Sequence, residues 1–237
     1  MPFQHGKSTG VLFDEFDLSA YFNQVNAGKQ VQAVKTTTFT SDDNTYIAGV
    51  ESGSINIQGL WDGAASAVDS VLDAEIADEG IFTVCPEGFA TVGNRAIMCK
   101  AENVGYDIRS TVTDAVRIVL VGTVDGGIRM AGRLLQDLAV ETTTFDGATV
   151  DDTASSTFGG VGHLHVTAFS GTSGTVKIQD SPNDSVWSDL ITFTAVTGVV
   201  AERLEVAGTI DRYLRFIISA DTFTSMTVAC AFARNRR

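Results

Sequence analysis

The chain has 237 residues, of which 44% are hydrophobic and 19% are charged, so it carries enough apolar side chains for a packed core and is not a disordered or fibrous chain. Sixteen Lys and Arg residues against 29 Asp and Glu residues give a formal net charge of -13, which repels phosphate and argues against ordinary nucleic-acid binding. The length fits one large domain or two ordinary ones.

Short apolar alternations separated by glycine, aspartate, asparagine and serine predict a mainly β protein. The first clear strand lies within residues 53–61. Side chains in a strand alternate between two faces, so Ile55, Ile57 and Trp61 share one face while polar residues share the other. This pattern predicts a strand with one buried face and one solvated face.

One helix is predicted from Asp62 to Ala77. Apolar residues recur there at steps of three and four, and they are Ala65, Val68, Leu72 and Ile76. Asp62 can cap the start of this helix, and Gly80 lies just beyond its end. The weak apolar stripe suits a helix that lies on the outside of a sheet.

The strand predicted within residues 111–124 has apolar residues on both faces. Val116, Ile118 and Leu120 lie on one face, and Val119 and Val121 lie on the other. A strand of this kind is covered on both sides or lies at a contact between subunits.

Residues 140–162 are rich in Thr, Asp, Ser, Ala and Gly, which predicts a linker with a domain boundary near residue 145. The domains are therefore 1–145 and 146–237. About six short strands, spaced as in a β-sandwich, are predicted in the second domain. Their apolar residues are Leu164/Val166/Ala168, Val176/Ile178, Ile191/Phe193/Ala195, Leu204/Val206, Leu214/Phe216/Ile218 and Val228/Cys230/Phe232.

The cysteines Cys85, Cys99 and Cys230 are odd in number and lie in segments that otherwise look like buried strands, so we expect reduced core thiols. No apolar run approaches the roughly 20 residues that span a bilayer, and the chain is expected to be soluble and made in a cytosol. The terminal Arg234, Arg236 and Arg237 are expected to be a solvated tail end.

His163 and His165 are two residues apart in a predicted strand, so both rings project from the same face. Because a third metal ligand is not evident, they are expected to be surface histidines that bind no metal. Oxygen ligands for calcium could come from a second cluster, but its spacing differs from that of an EF-hand loop and indicates a turn instead. The members of that cluster are Asp180, Asn183, Asp184 and Asp189.

Motifs for catalysis are not convincing. Gly6-Lys7-Ser8 looks like the end of a phosphate-binding loop, but the chain has no room for the preceding strand and glycine. The nucleophile pattern of serine hydrolases is missing, and histidines are too few to supply a base beside a serine. The sequence therefore predicts a protein that is not an enzyme and that needs no cofactor and no metal.

The N-terminal part of the chain carries a succession of short motifs: DLSAYFNQV at 17–25, TTTF at 36–39, TYIAG at 45–49 and INIQGLWD at 55–62. In order and spacing, these motifs resemble those of the major tail proteins, or tail tube proteins, of long-tailed bacteriophages over roughly residues 10–140. The C-terminal block resembles the small β-sandwich modules often appended to phage virion proteins, through a turn that contains Ser181, Asn183, Trp187 and Asp189.

The resemblance implies a fold and a role. Residues 1–145 would form a tail-tube-like β-sandwich or barrel domain with one helix, and residues 146–237 a C-terminal β-sandwich that decorates the outside. The chain would be a structural virion protein of the tail, made in the host bacterial cytoplasm. Its hexameric rings would stack into a tube and meet other tail proteins at the tube ends.

The resemblance further implies that DNA passes through the lumen of the tube without specific binding and that the chain inserts into no membrane. The acidic composition agrees, because a wall of the same charge sign as phosphate gives DNA no place to bind. Two alternatives stay open. One is another virion structural protein, such as a capsid decoration or a minor tail component, and the other is a glycan-binding adhesin or enzyme.

One loop is predicted to make the contact between rings, because the resembling family carries an extended loop at this place that reaches the adjacent ring. It consists of Lys35, Thr36, Thr37, Thr38, Phe39, Thr40, Ser41, Asp42, Asp43 and Asn44. An exposed Phe39 among threonines is expected to enter a pocket on a neighbour, and the threonines to pair along an edge. A solvated turn is the alternative interpretation.

Overall fold

The computed structural model describes residues 5–64 and 67–236, and over these residues the protein is mainly β, as predicted. It has one α-helix, α1 (Val68–Ala74), and a single 3-10 turn at Gly6–Ser8. The strands are β1 (Gly10–Phe13), β2 (Phe16–Asp17), β3 (Phe22–Lys35), β4 (Tyr46–Leu60), β5 (Glu79–Cys85), β6 (Arg95–Arg109), β7 (Arg117–Glu141), β8 (Phe145–Asp146), β9 (Val150–Asp151), β10 (Gly160–Ser181), β11 (Ser188–Thr192), β12 (Val200–Val206) and β13 (Tyr213–Arg234).

The chain divides into two compact units. Unit 1 comprises Met1–Phe22, Gly80–Met98 and Arg129–Arg237, and unit 2 comprises Asn23–Glu79 and Cys99–Ile128. These units do not coincide with the predicted domains 1–145 and 146–237. The reason is strand pairing, since β13 bonds to β7 on the other side of residue 145, from Met226 opposite Glu141 to Phe232 opposite Arg133. That residues 1–145 and 146–237 fold as two separate domains stays a prediction.

Unit 1 contains the strand order β11-β10-β13-β7-β6-β5-β1-β2, with β12 paired to β10 and with β8 and β9 paired to β13. The segment predicted as a linker therefore holds β8 and β9, and Val150 within it is buried. The prediction of a linker or loop over 140–162 holds only in part, because the backbone of β8 and β9 within this polar segment pairs with β13.

The six short strands predicted in the C-terminal part correspond to only four strands, because β10 and β13 each cover two of them. β10 and β13 pair antiparallel from Gly160 opposite Arg234 to Ser181 opposite Tyr213. The polar stretch in the middle of β10 looked like a turn in the sequence, but it is a set of register shifts around Gly171, whose φ of 139° requires glycine. The backbone bends there without ending the strand.

The core of unit 1 lies on both faces of β7 and β13. One buried cluster includes Leu135, Cys230 and Phe232 together with Leu164 and Val166 of β10. Another buried cluster holds residues from the opposite face and consists of Leu12, Cys85, Phe89, Ala96, Met98, Leu134, Ala229, Ala231 and Ala233. Both faces of the long strands are therefore closed within the unit.

All three cysteines are buried and carry reduced thiols, as predicted. Burial raises the pKa of Cys85 to about 12, with a smaller contribution from the charge of Glu87. Burial raises the pKa of Cys230 as well. Both thiols therefore stay protonated at neutral pH, as expected of core residues.

Unit 2 is built on the strand order β3-β4-β7-β6. β4 pairs antiparallel with β7 from Ser54 opposite Thr123 to Leu60 opposite Arg117. Ile55 and Ile57 are buried as predicted, but Trp61 is 41% exposed because β4 ends at Leu60 and the ring no longer follows the alternation of the strand. Ile118, Val119 and Leu120 are buried on both faces of β7, as predicted.

α1 is shorter than the helix predicted for 62–77. Its N-cap is Ala67, without a side-chain hydrogen bond, and the carboxylate of Asp62 instead accepts a bond from the backbone N–H of Ala64 at 3.0 Å. The prediction that Asp62 caps the helix is wrong. Val68 and Leu72 are buried as predicted and Ile76 is 39% exposed, while Ala65 lies outside the described residues.

Side chains of β6 fix the C-terminal end of α1. The Asn103 amide nitrogen donates to the backbone oxygens of Glu75, at 2.9 Å, and Asp78, at 3.0 Å. The chain turns away from the helix at Ala77, whose φ is 70° and whose N–H donates to the backbone oxygen of Asn103 at 3.0 Å. The Tyr106 hydroxyl donates to the Asp69 carboxylate, so α1 is held to β6 at both ends.

Candidate functional site

The predicted contact loop, residues 35–44, is the tip of the hairpin formed by β3 and β4. Two hydrogen bonds close the base of this tip. The Thr36 N–H donates to the Thr45 backbone oxygen at 2.8 Å, and the Thr36 hydroxyl donates to the Thr45 hydroxyl at 3.1 Å. Thr37 Oγ1 accepts a bond from the Thr45 N–H at 3.0 Å and lies 3.4 Å from Asn44 Oδ1. The threonine hydroxyls therefore stiffen the tip from within, a role that the sequence did not reveal.

Phe39 lies in a tight turn at the end of this tip. The Ser41 N–H donates to the Thr38 oxygen at 3.1 Å, so Phe39 and Thr40 are the two central residues of the turn. The Thr38 and Ser41 hydroxyls lie 3.1 Å apart and bond to each other. The Phe39 side chain is fully exposed, at 110% of its reference surface, as the sequence led us to expect.

The two arms of the hairpin carry further exposed apolar side chains, which sequence analysis missed. On β4 these are Tyr46, Ile47 and Val50, with exposures of 56%, 59% and 77%. Alternation places Tyr46 and Val50 on one face and Ile47 on the other. β3 adds Val31 and Val34, so this two-stranded ribbon shows apolar surface on the part that adjoins the tip.

The sheet of unit 2 also has unpaired edges. β3 pairs with β4 alone among the described strands, which leaves the other side of a 14-residue strand open. At the opposite side of the sheet, the backbone of β6 bonds to the turn at Ala77 and Asp78 through Asn103. β6 continues past this point to Arg109, where Val104 and Ile108 are 60% and 52% exposed. Open, partly apolar edges invite pairing with another chain.

The histidine pair does not lie on the surface, and that prediction is wrong. His163 and His165 do share one face of β10, but both are fully buried. Their face is covered by Thr83 and by the turn at Asp14, which the local sequence around β10 does not indicate. Across the described part of the chain, no group of three or more His, Cys, Asp or Glu residues could hold a metal ion.

The predicted turn around Asn183 is confirmed. Asn183 Oδ1 accepts bonds from the backbone N–H groups of Ser185 and Val186, at 3.1 and 3.0 Å, and Asp184 has a positive φ of 59°. Asp180 accepts a bond from the backbone N–H of Asp211, and Asp189 accepts from Lys177 and Gln179. These oxygens therefore have partners within the protein.

Arg234 is not part of a solvated tail, so that expectation is wrong for this residue. Its guanidinium bonds to the Asp152 carboxylate at 2.8 Å and to the backbone oxygens of Ile210 and Asp211. Pairing of β13 with β10 extends to Arg234, which brings the side chain over these loops. Arg237 lies outside the described residues.

No helix in the described ranges could span a membrane, and α1 has only 7 residues. No protein-family model matches the chain, and no curated protein matches it either.

Several solved structures are similar to this chain at low sequence identity. A chain from the virion of a native gene transfer agent particle is 18% identical and covers 53% of this chain and 96% of its own length, with a TM-score of 0.39. The SPP1 tail tube chain is 14% identical and covers 52% of this chain and 76% of its own, with a TM-score of 0.44.

A third similar structure is the SPP1 Dit protein of a hub adsorption apparatus, which is 10% identical and covers 95% of this chain and 98% of its own length, with a TM-score of 0.39. The three structures come from a virion, a tail tube and an adsorption hub.

Proposed function

We propose that this chain is a structural protein of a phage tail and that its copies assemble into hexameric rings, which stack into the tail tube. The observation that carries this proposal is the sheet of unit 2. It has an open edge at β3, a partly open edge at β6 and apolar side chains exposed between them. Such a sheet is stable in water only when neighbours cover its edges and its apolar surface.

Strand direction supports ring formation. The order β3-β4-β7-β6 contains four strands, and in an antiparallel sheet the two outer strands of four run in opposite directions. β6 of one copy can therefore pair antiparallel with β3 of the next, and the same step can be repeated. A repeated contact between two different edges is heterologous, and it closes into a ring when the rotation per copy divides a full turn.

The tip loop supports stacking of the rings. We propose that Lys35–Asn44 contacts the adjacent ring and that Phe39 is its anchor. A fully exposed phenylalanine on a stiffened tip is a suitable anchor, because an aromatic ring buries a large apolar area and a stiff loop loses little entropy when it binds. The exposed arms of β3 and β4 extend this surface toward the body of unit 2.

The charge of the chain supports a conduit for DNA. A net charge of -13 per copy is multiplied in a ring, and a wall of this sign repels phosphate. DNA would therefore pass without specific binding. In this role the chain works in the virion tail, meets other tail proteins at the tube ends and needs no catalytic activity.

Negative-stain electron microscopy of the purified chain tests the proposal. Long hollow tubes, or six-fold rings that stack as concentration rises, are the expected result. Single rings that never stack, even at high concentration, would favour a minor tail component. Particles that bind capsids would favour a capsid decoration, and binding of residues 146–237 to glycans without any ring would favour an adhesin.

A further inference from the structure

Unit 1 contains a row of buried polar side chains. His163 and His165 of β10 are 0% exposed and Thr83 of β5 is 1% exposed. Thr83 Oγ1 lies 3.1 Å from His163 Nδ1 and 2.8 Å from His165 Nε2, so one hydroxyl serves both rings. The row ends at the turn between β1 and β2, where the Asp14 backbone oxygen lies 2.7 Å from His165 Nδ1.

The position of each proton in this row follows from the partners. A carbonyl oxygen can only accept, so His165 Nδ1 carries the proton and, in a neutral ring, His165 Nε2 is an acceptor. The Thr83 hydroxyl therefore donates to His165 Nε2 and accepts from His163 Nδ1. His163 Nε2 is then a bare lone pair, and it is buried without a hydrogen-bond partner in the described parts of the chain.

An additional proton does not fit this arrangement. On His163 Nε2 it would create a buried N–H without an acceptor. On His165 Nε2 it would turn the Thr83 hydroxyl toward His163 and move the His163 proton to Nε2, where an acceptor is again missing. Either way a buried imidazolium would form without a carboxylate bonded to it, which is costly in a medium of low dielectric constant.

The groups around the pair add to this cost. Arg203 of β12 lies opposite His163 in the strand register, and Arg129 of β7 also repels a charge on that ring. A hydrogen bond with the Phe82 backbone acts in the other direction, but burial of the ring and the charge of Arg203 are larger effects. On β5, Cys85 has a pKa of about 12 and stays neutral, and Asp14 contributes its backbone oxygen while its carboxylate accepts a bond from the Ile81 N–H.

We propose that the row Asp14–His165–Thr83–His163 is an acid-sensitive latch, which ties the β1–β2 turn and β5 to β10 and releases them when either ring gains a proton. The proposal does not depend on the function of the chain in a tail. It assigns a role to two histidines that take part in no other site of the protein.

The direction of the pH effect follows from linkage. Burial lowers the pKa of His165 from 6.5 to about 4 and that of His163 well below its usual value. The unfolded chain therefore binds protons that the folded chain does not bind, and stability falls as the pH falls through this range. For His165 alone, the equilibrium constant of unfolding should rise roughly fiftyfold between pH 7 and pH 4.5.

The first test is chemical denaturation of the full chain at both pH values, comparing wild type with His163→Asn. Asparagine places a donor where His163 Nδ1 lies and does not titrate. On acidification, the equilibrium constant of unfolding should therefore rise at least tenfold less in the variant than in wild type. Carboxylates contribute equally to both proteins and cancel in the difference. His5→Asn, at the exposed third histidine, is the matched control and should follow wild type. Equal acid dependence of wild type and His163→Asn would overturn the proposal.

A second test uses the wild-type chain and does not depend on any variant. In NMR spectra, the His163 and His165 rings should stay neutral down to about pH 5. Hydrogen exchange should show that the amides of 13–17 and 80–83 lose protection on acidification before those of β13. Rings of His163 or His165 that become protonated well above pH 5, or protection that is lost everywhere at one pH, would contradict a latch.

Discussion

The two units of the chain treat their apolar residues differently. Among the described residues, sixteen large hydrophobic side chains are exposed, and twelve of them belong to unit 2 although it is the smaller unit. Unit 1 buries apolar side chains on both faces of its long strands, in two separate clusters. Unit 1 therefore completes its core alone, whereas unit 2 leaves apolar surface exposed and strand edges open.

Strand length explains part of this difference. In unit 1, β10 and β13 each have 22 residues and pair with each other from end to end, with register shifts only in the middle. In unit 2, β3 and the first half of β4 form a ribbon of only two strands. Two strands in water are marginal without further packing. Substitutions at buried and at exposed positions of the two units can test this comparison.

The largest effect is expected in the core of unit 1. Phe216 of β13 is fully buried in a cluster that includes Leu164, Val228 and Phe232. Phe216→Ala should lower the free energy of unfolding by about 3–5 kcal/mol, because it removes a whole ring and leaves a cavity. Urea denaturation measures this change. Phe158→Ala is the control, since Phe158 is 50% exposed in the same unit, and equal effects of both variants would mean that this core is misassigned.

A comparable but smaller effect is expected at α1 in unit 2. Leu72 is 1% exposed, and Leu72→Ala should lower the free energy of unfolding by about 2–5 kcal/mol. The value should fall at the lower end, because a helix of two turns on a thin sheet can shift to fill the space. Ile76→Ala, just beyond the helix and 39% exposed, serves as the control. A change below about 0.5 kcal/mol for Leu72→Ala would show that the helix does not cover a core.

On the hairpin arms, a charge should affect assembly far more than folding. Val50 is 77% exposed, and Val50→Lys should change the stability of the isolated chain by less than about 0.5 kcal/mol. It should nevertheless weaken the stacking of rings, since the hairpin arms belong to the proposed stacking surface and a buried, unpaired ammonium would lie in that contact. Sedimentation velocity measures the outcome.

Val186→Lys provides the matched control for that experiment. Val186 is 63% exposed in unit 1, and a charge there should leave assembly intact. If the two lysine variants assemble equally well, the exposed apolar surface of unit 2 is not the contact between copies.

Local patterns in the sequence predicted features that depend on one strand at a time. The mainly β fold, the buried face at Ile55 and Ile57, the buried cysteines and the exposed Phe39 all follow from alternation and composition. The position of Leu72 followed from helical spacing. In each case the neighbouring residues along the chain contain the information.

Features that depend on distant residues could not be predicted. The burial of His163 and His165 requires Thr83, 80 and 82 positions away, and Asp14, 151 positions from His165. The merging of two short strands into β13 requires a continuous partner in β10, which no local pattern in 213–234 indicates. The apolar arms of the hairpin looked like ordinary strand residues, because alternation does not tell whether a second layer covers them.

The smallest change in stability, and the most specific test of the comparison, is expected at Phe39. Its side chain contacts solvent, while the tip is held by hydrogen bonds between threonines, serine and backbone, so Phe39→Ala should leave the stability of the isolated chain within about 0.5 kcal/mol of wild type. Rings should still form, because the ring closure proposed above uses the edges of β3 and β6 and not the tip. Stacking of rings should be impaired, which electron microscopy measures as fewer and shorter tubes. Val112→Ala, equally exposed in the loop between β6 and β7, is the matched control. If Phe39→Ala forms tubes of wild-type length at the wild-type rate, the tip is a solvated turn and not the contact between rings.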